Sequence, residues 1–260
     1  MSLSVVIITK NEELNIERCL NSVKWADEIV IVDSDSTDRT VEFARRFGAR
    51  VYTTEWRGYG PAKREAVNYA KGDWILSVDA DEEVTHDLGE EIRNTLENLN
   101  DTDGYYVKRR TNFLGRWIYH CGWYPDPVLR LFRKSKGNFN EAVIHEKVEV
   151  KGKVGHLKGE LLHYSYPDLE CYLKRFNRYT TIGAQVAFEK GRRARWFDLV
   201  MRPPASFITH FISHQGFKDG MEGFLVSALS AAAVLVKYAK LRHMQKQQIN
   251  KRAKMDDKEN

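Results

Sequence analysis

Leu76-Ser77-Val78-Asp79-Ala80-Asp81-Glu82-Glu83 is an apolar run that ends in four acids within five residues. A buried strand can deliver carboxylates to its end, but four clustered there repel one another unless something positive sits among them. Oxygen-only ligands suit Mg²⁺ or Mn²⁺, ions that usually bridge protein carboxylates to substrate phosphates. The octet therefore reads as a metal-dependent site for a nucleotide or nucleotide-sugar. An acidic turn that merely caps a following helix would give the same letters.

The surrounding sequence says which elements hold the acids. Ser4–Thr9 is a continuous apolar run that passes into Lys10-Asn11-Glu12-Glu13. Glu28–Val32 is a second, ending in Asp33-Ser34-Asp35-Ser36-Thr37-Asp38, and Trp74–Val78 a third, ending in Asp79 and Asp81. Unbroken Val/Ile runs predict strands buried on both faces, hence parallel ones. Helical patterns separate them: Leu14–Val23, then Thr40–Phe47 with Asp38 as N-cap and Gly48 as stop, then Pro61–Ala70 stopping at Gly72. Alternating strands and helices predict a doubly wound, mostly parallel, Rossmann-like α/β sheet. Ligands of such sheets bind beyond the carboxyl ends of the strands, where all three polar clusters sit.

Val5–Glu13, the Asp33–Asp38 segment and Ala66–Asp81 resemble the family 2 inverting glycosyltransferases, whose fold is GT-A. The resemblance continues through Trp123–Arg133, Val143–Val148 and His163–Leu169, which look like the subgroup of lipopolysaccharide core β-1,4-glucosyltransferases. It covers roughly residues 1–240. A lone DxD is weak; an ordered set over most of a chain is specific.

The resemblance implies roles residue by residue. Thr9 and Glu12 would line the nucleotide pocket, and Asp33 would accept a hydrogen bond from the uracil ring NH. Lys63 stands where many relatives carry an Arg, and it would neutralise the diphosphate as a point charge without the bidentate fork; a solvated helix lysine is the alternative. Asp79 and Asp81 would form the DxD, with Asp81 the direct ligand of Mg²⁺ or Mn²⁺. Inverting transfer also needs a base for the acceptor hydroxyl. Many relatives place it in a Glu-Asp pair that this chain lacks. Glu146 is favoured, with Glu141 and His145 behind it, although His145-Glu146 could instead shape the acceptor pocket. Asp126, between Pro125 and Pro127, could equally position the acceptor.

Length allows a catalytic domain with an appendage. The expected organisation is a GT-A domain over 1–165 (nucleotide-sugar half 1–103, acceptor half 104–165), a helical basic region over 166–244 and a disordered tail over 245–260. Cys19, Cys121 and Cys171 form neither a zinc pattern nor a disulfide framework, which suits a reduced cytoplasmic setting. No signal peptide is evident at the start.

Net charge is +5, but residues 1–103 hold 12 Lys/Arg against 22 Asp/Glu while residues 104–236 hold 21 against 11. A basic acceptor half suits an anionic partner: a phosphorylated glycolipid or a membrane surface. Nucleic acid is disfavoured because no recognised module accompanies the charge. Arg192–Phe197 mixes cations with aromatics, and Phe224–Val236 is an apolar stretch shorter than the ~20 residues a bilayer requires, followed by Lys237, Lys240 and Arg242. The expectation is an interfacial helical region on anionic lipid. Packing against the catalytic domain or a second copy of the chain is the competing use.

The sequence thus points to an inverting hexosyltransferase. Its donor would be a UDP-sugar, UDP-glucose first, and its acceptor a lipid-linked saccharide, met peripherally at the inner face of the cytoplasmic membrane. The alternatives are a nucleotide-sugar-binding protein without activity, which the intact Asp79/Asp81 pair opposes, and a nucleotidyltransferase. The latter would normally carry a Gly-rich basic loop where Lys10-Asn11-Glu12-Glu13 stands.

Overall fold

The structure, a computed structural model, describes residues 1–98, 101–140 and 146–259, with side chains as far as residue 248. It divides into two compact units, Met1–Thr111 with Pro125–Ser165, and Asn112–Tyr124 with Tyr166–Asn260.

The first unit opens with β1 (Leu3–Thr9), α1 (Ile16–Val23), β2 (Glu28–Asp33), α2 (Thr40–Arg46), β3 (Arg50–Thr53), α3 (Tyr59–Tyr69) and β4 (Trp74–Ser77). The strands lie in the order β3-β2-β1-β4, all pairs parallel. Val5, Val6, Ile7, Val30, Ile31 and Val32 are buried, as unbroken apolar runs require, because helices cover both faces. Gly48, at φ +74°, closes α2 with its amide on the Arg45 carbonyl (3.0 Å) and the Ala49 amide on Ala44 (3.2 Å). This part is the α/β fold that the sequence predicts.

The acids after β4 do not cap a helix. Asp79 and Asp81 occupy a short turn, and Glu82 begins a further strand, β5 (Glu82–Val84). The next helix, α4 (His86–Glu97), is capped instead by the Thr85 hydroxyl, which accepts from Leu88 N at 3.3 Å. The chain continues through β6 (Gly104–Phe113), β7 (Arg116–Trp117), β8 (Asp126–Arg133), β9 (Gly137–Phe139), β10 (Val148–Val150) and β11 (Val154–Tyr166). β8 runs antiparallel beside β4, β6 follows it, and β11 comes next with β5 antiparallel on its far side. The chain after residue 103 therefore extends the sheet with antiparallel strands, while β9 and β10 form a separate two-stranded ribbon.

The second unit holds β7, paired with the end of β6, and then α5 (Leu169–Glu189), α6 (Trp196–Val200) and α7 (Arg202–Ile208). A π-helical turn (Thr209–Ser213), a 3₁₀ turn (Gly216–Asp219) and α8 (Gly220–Glu259) complete it. Phe113 anchors one cluster, edge-on to Trp123, Tyr166 and Tyr172. Ala184 and Ala187 of α5 meet Tyr238 and Leu241 of α8 in another. Lys240 Nζ ties the two helices by donating to Asn177 O (2.9 Å) and the Thr180 and Thr181 hydroxyls (2.9 and 2.7 Å). The apolar stretch Phe224–Val236 lies within a much longer helix, which carries on to Glu259 through most of the segment expected as a tail. Gly216–Gln248 is long and apolar enough by length and composition to cross a membrane, and only 28% of its apolar window is buried.

Gly159 lets β11 cross α4, since a Cβ there would stand 2.6 Å from Leu88 Cα. Gly159→Ala is expected to cost about 1–3 kcal/mol in urea unfolding, the usual magnitude for overpacking. An unchanged midpoint would show that α4 yields freely.

Candidate functional site

The parallel register places Thr9 opposite Asp33 at the carboxyl ends of β1 and β2. Thr9 Oγ1 donates to Asp33 Oδ1 at 2.8 Å, and Ser36 gives Asp33 its amide (2.9 Å) and its hydroxyl (2.5 Å). Three of roughly four carboxylate lone-pair sites are thus used, leaving one on Oδ2. Asn11 and Asp35, both at φ +55°, turn the two loops back. Asn11 N donates to Ser36 Oγ and Thr37 N to Asn11 Oδ1, each at 2.8 Å, so the loops are locked together. Glu12 is held between helices: its amide donates to Thr40 Oγ1 (2.8 Å) and its carboxylate accepts from Asn15 Nδ2 (2.9 Å).

Asp79 lies between two buried cations. Lys63 Nζ, from α3, is 2.7 Å from Asp79 Oδ1 and 2.9 Å from Glu146 Oε1, and Arg130 Nη2, from β8, is 2.5 Å from Asp79 Oδ2. The Lys63 side chain is only 6% exposed, so it is not a solvated helix lysine. Glu82, fully buried, connects the group: Oε2 accepts the Asp79 amide (2.9 Å), and Oε1 accepts from Arg130 (2.7 Å) and Arg109 (3.3 Å). Arg109 then grips Asp126 Oδ2 through Nε (2.9 Å) and Nη2 (2.6 Å). Burial alone would push the Asp79 carboxyl up, but the Arg130 and Lys63 charges outweigh it and hold the group well below the usual carboxylate range. Burial likewise opposes the charge on Arg130, and Asp79 and Glu82 overcome it, pushing the guanidinium higher still.

Asp81 is positioned by a different pairing. β11 sets His163 opposite Glu82, Tyr164 N donates to Asp81 O (2.9 Å), and His163 Nε2 comes within 3.3 Å of Asp81 Oδ2. Ser165 Oγ lies 2.8 Å from His163 Nδ1 and 2.7 Å from Nε2, so the hydroxyl touches the ring on the same edge that approaches Asp81. A carboxylate and an imidazole side by side fit a divalent ion as part of a shell, with the remaining positions left to phosphate oxygens or water. Asp79, expected to share the ion, has both oxygens on Lys63 and Arg130 instead. Among the described residues no group of three or more His, Cys, Asp or Glu could hold a metal by itself. Cys19 donates its thiol to Asp79 O (3.5 Å). Burial first, then Glu82, Asp81 and Asp79, push its pKa well up, so no thiolate nucleophile forms there.

Of the acids weighed as base, Glu146 adjoins Lys63 and Asp126 begins β8 with its side chain 42% exposed. Glu141 and His145 lie outside the described residues. Sequence reasoning gave no role to Arg130, Arg109, Glu82 or His163. Arg130 and His163 stand inside motifs already singled out, so a signal existed. Glu82 likewise belongs to the acidic octet already singled out, whereas Arg109 carries no signal, because only the sheet brings it to Glu82.

A model of the glycosyl transferase family 2 matches residues 4–159. The lipopolysaccharide core biosynthesis glycosyltransferase LpsC of Rhizobium meliloti is 30% identical over 99% of this chain and 97% of its own. An uncharacterized glycosyltransferase of Rickettsia typhi is 32% identical over 93% and 87%. Among solved structures, S. aureus TarS (residues 1–349) aligns at a TM-score of 0.47 with 16% identity, over 95% of this chain and 92% of that one. Glucosyl-3-phosphoglycerate synthase of Mycobacterium tuberculosis, in complex with Mn²⁺, UDP and glucosyl-3-phosphoglycerate, aligns at 0.41 with 22% identity over 52% and 57%.

A carboxyl held below its unfolded value, about 3.8, stabilises the fold above that pH, and the contribution vanishes as pH falls toward the folded value. The stability difference between the wild type and Asp79→Asn, read by urea unfolding, is therefore expected to narrow below about pH 4. A difference independent of pH would contradict the ion pairs. Glu82→Gln, which strips charge from beneath two arginines, is expected to cost about 3 kcal/mol at neutral pH.

Proposed function

From the premise that the chain belongs to glycosyl transferase family 2, we propose that it moves a hexose, glucose from UDP-glucose, onto a lipid-linked saccharide of the lipopolysaccharide inner-core kind. Transfer proceeds with inversion at the cytoplasmic face of the membrane. The observation that carries the acceptor class is the end-to-end similarity to a lipopolysaccharide core glycosyltransferase, over 99% of one chain and 97% of the other.

The donor half supports a uridine nucleotide. Thr9, Glu12 and Asp33 stand at the ends of β1 and β2, and Asp33 keeps one acceptor position for a ring N–H. Asp81 and His163 would hold Mg²⁺ or Mn²⁺, which when bound supplies charge neutralisation to the departing diphosphate. Asp79 orients rather than ligates: it fixes Lys63 and Arg130 where the strands end. Lys63 is then a preorganised positive charge beside the diphosphate position, needing no rearrangement of water.

Glu146 is the proposed base. Its Oε1 accepts from Lys63, and its Oε2 makes no hydrogen bond among the described residues, so Oε2 is the atom to take the acceptor hydroxyl's proton. Asp126 is the rival, for Arg109 occupies Oδ2 and leaves Oδ1.

Asp81→Ala is expected to abolish metal-dependent UDP binding in calorimetry and to remove transfer while the melting curve stays cooperative. Full activity of that variant in EDTA would end the metal assignment. Glu146→Gln should slow transfer about 10²-fold or more with UDP affinity nearly unchanged, since an amide cannot accept the proton. If Asp126→Asn shows that signature and Glu146→Gln does not, the base is Asp126.

A further inference from the structure

Among the described residues, nine of the eighteen large apolar side chains that stand exposed fall between Trp196 and Phe224. Single exposed apolar residues are ordinary, but a concentration of this kind marks an interaction surface. Trp196 and Phe197 project from α6, Ile208 from the end of α7, Ile212 from the π-helical turn, Phe217 from the 3₁₀ turn and Met221 from the start of α8. Trp196 and Met221 reach 68% and 67% exposure. Ring contacts of Phe211 with Phe207, Phe217 and Phe224 join α7, the two turns and α8 into one aromatic layer.

The charges of the segment are one-sided. Between residues 190 and 224 the acids are Asp198, Asp219 and Glu222; the first two are buried, and Glu222 is half-buried with its carboxylate 3.8 Å from Arg116. Asp198 accepts from Arg202. Asp219 accepts the His120 amide (2.8 Å) and sits 3.0 Å from His120 Nδ1. The exposed charges left are cationic: Lys190, Arg192, Arg193, Arg195, Arg202 and Lys218. A two-fold contact with a second copy would press this patch against itself and bring like charges together. An anionic bilayer offers the complement: negative headgroups for the arginines and an acyl boundary for Trp and Phe, which favour that depth.

We propose that residues 192–224 form the surface by which the protein docks on an anionic membrane, with Trp196, Phe197 and Met221 entering the headgroup–acyl boundary and Arg192, Arg193 and Arg195 meeting the headgroups. The proposal deepens the lipid-linked acceptor reading by naming where the lipid is met, and it rests on that reading for its purpose but not for its test.

The test is co-sedimentation of the full chain with phosphatidylcholine vesicles, with and without about one third phosphatidylglycerol. Binding is expected only with the anionic lipid and should fall on the order of tenfold as salt rises from about 0.05 to 0.3 M. R192E/R193E/R195E should weaken it by roughly a hundredfold. Trp196→Ser with Phe197→Ser should also weaken it at low salt, because the apolar insertion is lost. Both variants alter exposed side chains, and a thermal melt checks their folding. Transfer to a water-soluble acceptor saccharide should persist in both. Absence of transfer in the wild type would defeat the enzymatic reading and leave docking standing. The docking proposal is overturned if the wild type ignores anionic vesicles, or if the charge-reversed variant binds as well as the wild type. It is equally overturned if Trp196→Ser with Phe197→Ser converts a dimer into monomers in sedimentation velocity while leaving vesicle binding intact.

Discussion

Lys63, Asp79, Glu82 and Arg130 lose most of their water where the parallel strands end, and much of the surrounding structure serves to keep them paired. An isolated buried charge costs several kcal/mol, and removing one member of a buried pair exposes the other to that cost. The four come from four places: α3, the turn after β4, the first residue of β5, and β8. None of these elements can shift far without stranding a charge. The pairing therefore fixes the helix that carries Lys63 and the antiparallel strand that carries Arg130 against the same turn.

From that turn two chemistries diverge. Asp79 faces the cations, while Asp81, two residues on, faces His163 across the β5–β11 pair. A short acidic motif is thus divided between an organising carboxylate and one able to share a metal ion. Glu82 lets the division persist: it holds the Asp79 amide and both arginines, and through Arg109 it reaches Asp126 at the start of β8. Asp79, at the end of β4, and Asp126, at the start of β8, are thus linked through one buried carboxylate.

The second unit follows a different economy. Its cores are small and aromatic, centred on Phe113 and on the α5–α8 contact, and they leave the short helices between Trp196 and Ile208 with much of their apolar surface outward. A chain that buries its few acids in that segment and leaves its arginines in water has a surface suited to an anionic, partly apolar partner.

The local rules of the chain were enough to read β1, β2, β4 and the three helices between them, because burial on both faces leaves an unbroken Val/Ile run and Gly48 marks its helix end by a backbone conformation that favours glycine. The same rules placed Thr9, Asp33, Asp79 and Asp81 at one edge, since parallel strands put every carboxyl end on the same side. They could not say that Glu82 starts a strand rather than preceding a helix, because a three-residue strand has no periodicity and exists only through its pairing with β11. Nor could they choose partners for the acids. Lys63 read as a cation for the diphosphate or for solvent, Arg130 and His163 lie 51 and 82 residues from the carboxylates they meet, and Asp79 and Asp81 look alike as letters. Sequence determined which side chains are chemically able and at which sheet edge they gather. Tertiary structure decided which charge meets which, because in a buried site the pairing is set by strand register and the cost of desolvation, and neither is local.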